Sequence, residues 1–394
     1  MMRLPSLLAG GCFAVVALVA GCALTPLEGT GDLGVVVERS RGTVAIVNTS
    51  RREVLAEVPG LGDLSHASVV FSRDAVRAFV FGRDGALTRV NLLTRRIEAR
   101  VLQAGNSIGG AMSQDGTLVA AQNYQPGGVK VFDVNTLALV ADIPAEFAPG
   151  QRSRVVGLAD LPGRRFIFSL FDADQIWIAD LSDADKPQLT KFEHIGHQPY
   201  DALVTPDGRY YIAGLFGEDG LSLIDLWDNV PKPRRILAGY GRGEQPLPVF
   251  KMPHLRGWAV AGRRAYLPAI GRHEVLVVDT ESWREVARIP VAGQPVFVIG
   301  RPDGRQVWVN FAVPDYNRVQ VIDTQTQKVV HTLEPGKAVL HMEFTPRGEA
   351  VWISSRDANR VSVIDTGTFK TLATLVIDSP SGIFLTSRAG RMGF

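Results

Sequence analysis

Two cysteines are all that this chain of 394 residues carries, and both, Cys12 and Cys22, stand near its start. Beyond Cys22 the sequence therefore offers no disulfide, no thiolate metal site and no CxxCH segment for covalent haem. Lysine is also scarce, 8 residues against 34 arginines. With a formal net charge of only +2, the chain lacks the basic excess of a nucleic-acid binder. It has no heptad, no low-complexity run, no phosphate-binding glycine loop and no Ser-His-Asp signature. What the arginines do supply is a planar fork suited to carboxylates.

The first residues read as an export signal. Arg3 precedes an apolar stretch from Leu7 to Ala20, too short and wrongly flanked for a spanning helix. It ends Val19-Ala20-Gly21-Cys22, a bacterial lipobox pattern followed by Ala23. Residues 1–21 are expected to be removed, Cys22 to carry lipid, and residues 22–31 to form a tether. That places the protein in the periplasm, held to a membrane by its lipid alone, with the outer membrane favoured.

The rest of the chain is a repeat. Eight β-rich segments end in Asp or Asn, at Asn48, Asn91, Asp133, Asp180, Asp225, Asp279, Asp323 and Asp365, at intervals of 42 to 54 residues. Most are preceded by a second strand introduced by a tight turn such as Gln114-Asp115-Gly116 or Pro206-Asp207-Gly208. This period is one four-stranded propeller blade. The prediction is an all-β, eight-bladed β-propeller over residues 32–394. Residues 34–58 supply three strands of one blade and the C-terminal SGIFL at 381–385 the fourth, so pairing of the two ends closes the ring. One interruption, residues 228–250, stretches the fifth interval and is expected to lie over the binding face.

In such a blade the segment leading into the innermost strand and the loop between the second and third strands open on one face. The first set brings His66, Arg154, Tyr200, Asp201, His254 and His341 toward the axis. The second adds Arg83, Tyr124, Asp172, Arg272 and Arg356. These make a pocket mouth rich in His, Tyr and Arg.

One stretch is more specific. HASVVFSRDAVRAFVFGRDGALTRVNL, residues 66–92, resembles the heme d1 domain of the cytochrome cd nitrite reductases, an eight-bladed propeller. KMPHLRG at 251–257 and GHQPYDALVTPDGRYY at 196–211 resemble the two segments that carry that family's distal histidines. The resemblance implies that His66 is the proximal ligand of a tetrapyrrole iron and that Arg83 binds macrocycle carboxylates. It puts His254 opposite the iron; Tyr200 replaces the second distal histidine and Asp201 is kept.

The departures matter as much. Without CxxCH the chain cannot take electrons as a nitrite reductase does, which points to the haem-c-free branch required for heme d1 biosynthesis. The resemblance then implies an iron-containing heme d1 precursor as ligand or substrate, and a late maturation step such as dehydrogenation of a propionate to an acrylate. His254, Tyr200 and Asp201 are the expected catalytic, proton-exchanging groups. Arg83, Arg154, Arg272 and Tyr124 are the expected macrocycle contacts. The alternative is a carrier that hands the precursor to a periplasmic dehydrogenase or to the heme d1 nitrite reductase. The heme d1 nitrite reductase and other heme d1 biosynthesis proteins are the implied partners; nucleic acid is not.

Overall fold

The structure, a computed structural model, describes residues 28–241, 257–269 and 271–391. Cys22 with the export signal and tether, and His254, lie outside the described residues.

Every segment ending in Asp or Asn forms the third strand of a blade, and the local chemistry explains why that residue recurs. Asp133 Oδ1 accepts the N–H groups of Asn135 at 2.9 Å and Thr136 at 2.8 Å, closing the turn into the fourth strand. The same side-chain cap forms at Asp279, Asp323 and Asp365. These backbone bonds hold the four carboxyls below the usual carboxylate range. One residue type thus both ends a strand and turns the chain.

Eight four-stranded antiparallel sheets result. Blade 2 runs Ser68–Phe71, Arg77–Phe81, Ala86–Asn91 and Arg96–Leu102, and blades 3 to 8 follow in the same order. Val155–Leu161, the inner strand of blade 4, is buried along its whole length, other inner strands such as Ser68–Phe71 are partly buried, and outer strands such as Arg96–Leu102 alternate. Neighbouring blades stack face to face: Phe79 and Phe81 of blade 2 pack against Met112, Val119 and Phe132 of blade 3. Blade 1 is composite. Glu53–Val58, Thr43–Asn48 and Leu33–Glu38 are joined by Pro380–Leu385 as the innermost strand, with Val35 opposite Phe384 and Val36 opposite Ile383. The ring is closed by its two ends, as the sequence predicts.

Two details differ from the sequence reading. Residues 228–250 are not wholly an insertion, because Pro233–Ile236 is the fourth strand of blade 5. Its four residues, Pro-Arg-Arg-Ile, do not alternate and so gave no strand signal. Further, a two-stranded hairpin, Glu146–Ala148 with Gln151–Arg152, stands between blades 3 and 4.

The seam of the ring buries an acid. Glu38 is 0 % exposed and neither carboxylate oxygen has a hydrogen-bond partner; Arg41 Nη1 is 3.6 Å away. Burial, reinforced by Glu57 and more weakly by Asp378 against the pull of Arg41, pushes its pKa up to about 7. A raised carboxyl contributes stability that is complete below the unfolded value and is lost as pH rises through the folded value. The window is therefore about pH 4.5 to 7 and the loss on the order of 3 kcal/mol. Glu38→Gln should remove this loss and melt a few degrees above wild type at pH 8. Equal melting points at pH 8 would set the idea aside.

Candidate functional site

A cavity of about 960 Å³ follows the ring axis. It begins at the leading ends of the inner strands, where Ser65, His66, Tyr200, Asp201 and Leu340 line it, and continues to the turns on the opposite face, at Gln114, Arg301 and Arg391. This is the upper end of the range that holds one ligand. His66 is exposed to it, immediately before the inner strand of blade 2; Asp201 is half-buried, its Oδ1 accepting the Ala202 N–H at 3.0 Å. Three of the residues singled out from sequence, His66, Tyr200 and Asp201, thus line one space.

The phenols form a corner of this mouth. Tyr124 and Tyr200, from blades 3 and 5, share a hydrogen bond of 2.7 Å between their hydroxyls. Phe171 and Phe216 enclose Tyr200, with ring centroids 5.8 and 6.0 Å from it. Burial raises the pKa of both phenols, so both keep their protons at neutral pH. One O–H is used within the pair and the other remains to donate. The pair is a proton donor rather than a base.

The arginines are arranged unequally. Arg83 is half-buried, its guanidinium 5.8 Å from the Tyr124 ring centroid. The adjacent Asp84 is held by Arg100 at 2.7 Å and does not neutralise it. Arg154 instead spends its fork on Asp172, through bonds of 3.0 and 2.5 Å, and lies 4.2 Å over Phe171. It braces the aromatic corner, and a ligand carboxylate would have to displace Asp172. Arg272 is exposed, lies outside the cavity lining and makes no ion pair among the described residues.

Arg39, which the sequence places in a loop at the mouth without giving it a contact, and His341, which it leaves unassigned, both line the cavity. Arg39 stands there from blade 1, and burial with the nearby Arg356 lowers its pKa. The lower wall also holds Glu343 and Arg388, bonded Nε to Oε1 at 2.7 Å across the seam. No group of three or more His, Cys, Asp or Glu suited to holding a metal ion occurs among the described residues.

The cytochrome D1 heme domain profile matches residues 28–389. Protein NirF of Stutzerimonas stutzeri is 62% identical over 382 residues, covering 96% of this chain and 98% of that protein. A dihydro-heme d1 dehydrogenase of Pseudomonas aeruginosa is 30% identical over 334 residues, 83% of this chain and 65% of its own length. Among solved structures, the dihydro-heme d1 dehydrogenase NirN in complex with DHE superimposes with a TM-score of 0.80 at 26% identity, covering 92% of this chain and 77% of that one.

Proposed function

The chain belongs to the cytochrome D1 heme domain family, and on that premise we propose that it acts in heme d1 biosynthesis, binding an iron-containing precursor in the axial mouth during a late maturation step. The observation that carries this reading is the convergence of His66, Tyr200 and Asp201 on one cavity of about 960 Å³. Neutral imidazole from His66 is the axial donor to the iron. Arg39, which lines the mouth, and Arg83, which stands beside the Tyr124 ring, make no carboxylate hydrogen bond among the described residues and take macrocycle carboxylates. The Tyr124–Tyr200 pair donates its remaining O–H to the ligand edge, and Asp201 beside it is the group that can accept a proton. His254 completes the proposed set from outside the described residues.

The step such a site suits is conversion of a propionate to an acrylate, which removes two protons and two electrons. Asp201 accepts one proton, the phenols hold the ligand edge by hydrogen bonding, and an external acceptor takes the two electrons with the second proton. The relationship to a dihydro-heme d1 dehydrogenase supports this substrate class.

The test is to incubate purified protein with the last iron intermediate of the pathway and follow absorption and product mass, with and without the dehydrogenase. A spectral shift with a mass loss of two hydrogens when only an electron acceptor is added identifies an enzyme. A spectral shift with conversion only when the dehydrogenase is present identifies a carrier. No spectral shift at all would overturn the binding reading itself. Asp201→Asn should then lower conversion about 10²-fold or more if the carboxylate accepts the proton, and leave the bound spectrum unchanged.

A further inference from the structure

The cavity does not end at the mouth. Below the mouth, with His341 at its upper edge, the cavity is lined by Phe297, Phe384, Arg388, Arg391 and Arg301, and the role proposed above uses none of them. His341 sits at the head of the blade 8 inner strand, its ring tilted against Phe384 with centroids 5.6 Å apart and edge-on to Phe297 at 6.2 Å. Its Nδ1 accepts the N–H of Ile383, from the closing strand, at 3.2 Å. That bond fixes the tautomer: in the neutral ring the proton is on Nε2, which is then a donor and not a lone pair for iron.

The surroundings keep the ring neutral. Burial, with Arg388 nearby and Glu343 opposing, brings the His341 pKa down to about 4. Below it the wall is cationic. Arg388 is matched by Glu343, and Arg301 bonds the Gly348 carbonyl at 3.0 Å and approaches Asp303 at 3.4 Å. Arg391 has no ion pair among the described residues. A narrow apolar wall carrying N–H donors, with a surplus guanidinium beyond them, focuses positive potential inward. It would repel a metal ion or an amine and attract an anion.

We propose that this lower compartment is an anion subsite for a carboxylate, held by His341 Nε2–H with Arg391 beyond it. Resting on the reading that a tetrapyrrole occupies the mouth, the carboxylate is an acidic arm of that macrocycle reaching down the axis, or a separate small carboxylate bound beneath it. His341 is then a positioning residue: it sets how the macrocycle is turned, and so which peripheral group faces Tyr200 and Asp201.

The experiment titrates wild type, His341→Phe, His341→Gln and Arg391→Ala with heme d1 and with its methyl ester, following absorption, and records melting temperatures with and without succinate. Wild type should bind the free acid about tenfold or more tighter than the ester, the worth of a charged hydrogen bond. His341→Phe should lower that preference about tenfold with the ester affinity kept, the remainder belonging to Arg83 and Arg39, and His341→Gln should restore part of it. Arg391→Ala should reduce it. An acid preference unchanged by His341→Phe, together with a succinate-induced rise in melting temperature that His341→Phe abolishes, assigns the compartment to a separate carboxylate. An acid preference unchanged in every variant, with no succinate effect, overturns the proposal. Should no form of heme d1 bind, the function proposed above fails, while the succinate arm still decides this one.

Discussion

Replacing His66 by Ala should change the absorption and spin state of bound heme d1 and weaken its binding by more than the roughly 10–100-fold that an outer-shell partner of a metal ligand is worth. The residue stands at the leading end of the blade 2 inner strand, exposed to the axial cavity. Removing an imidazole there leaves space that added imidazole can fill, so the wild-type spectrum should return when imidazole is supplied. Arg83→Ala should behave differently, weakening binding by about 1.5–3 kcal/mol with the spectrum kept. An unchanged spectrum in the His66 variant would remove it as the axial ligand. His341 could not then substitute, because its Nδ1 is engaged by Ile383 and its Nε2 carries the proton. The candidate would narrow to His254, since burial keeps the Tyr200 phenol protonated.

What the sequence revealed of this fold depended on whether a residue's reason for being there was local. Asp133 and its seven counterparts were visible because a single side chain ends the strand and caps the next turn within three residues. His66, Tyr200 and Asp201 were visible because blade topology sends every inner strand's leading end to the same mouth. Pairings between blades were not visible. Nothing near Arg154 announces that its fork is taken by Asp172 in the next loop, and nothing near Tyr124 announces a bond to Tyr200 76 residues away. Arg272 has the right position in its blade, but the structure leaves it outside the cavity lining. The Glu343–Arg388 pair is subtler still, since it forms only because the C-terminal segment returns to the ring. Periodicity gives the scaffold and the face; partners across the axis depend on which loops happen to meet.

That returning segment carries the largest expected effect on stability. Deleting residues 380–394 should leave a protein that aggregates or melts far below the full chain. The deletion removes the innermost strand of blade 1, so that Leu33–Glu38 becomes an unpaired edge beside the axis. Ile383, Leu385 and Phe384 are 0, 1 and 8 % exposed, and at about 1.5–3 kcal/mol each their burial is worth roughly 4–9 kcal/mol. Glu343, 4 % exposed, loses Arg388, and a buried carboxylate stripped of its partner costs about 3–5 kcal/mol more. Thr386 also leaves, together with its hydroxyl bond to the Leu33 carbonyl at 2.8 Å. Together these reach roughly the 5–15 kcal/mol by which a whole domain is usually stable, so partial loss of the ring is not the expected outcome; loss of the fold is. Thermal melting and size-exclusion chromatography of the truncated chain measure it directly. A monomer with the full-length melting temperature would mean that the other seven blades hold the ring without this strand, and that the contacts at the seam serve the cavity rather than the fold.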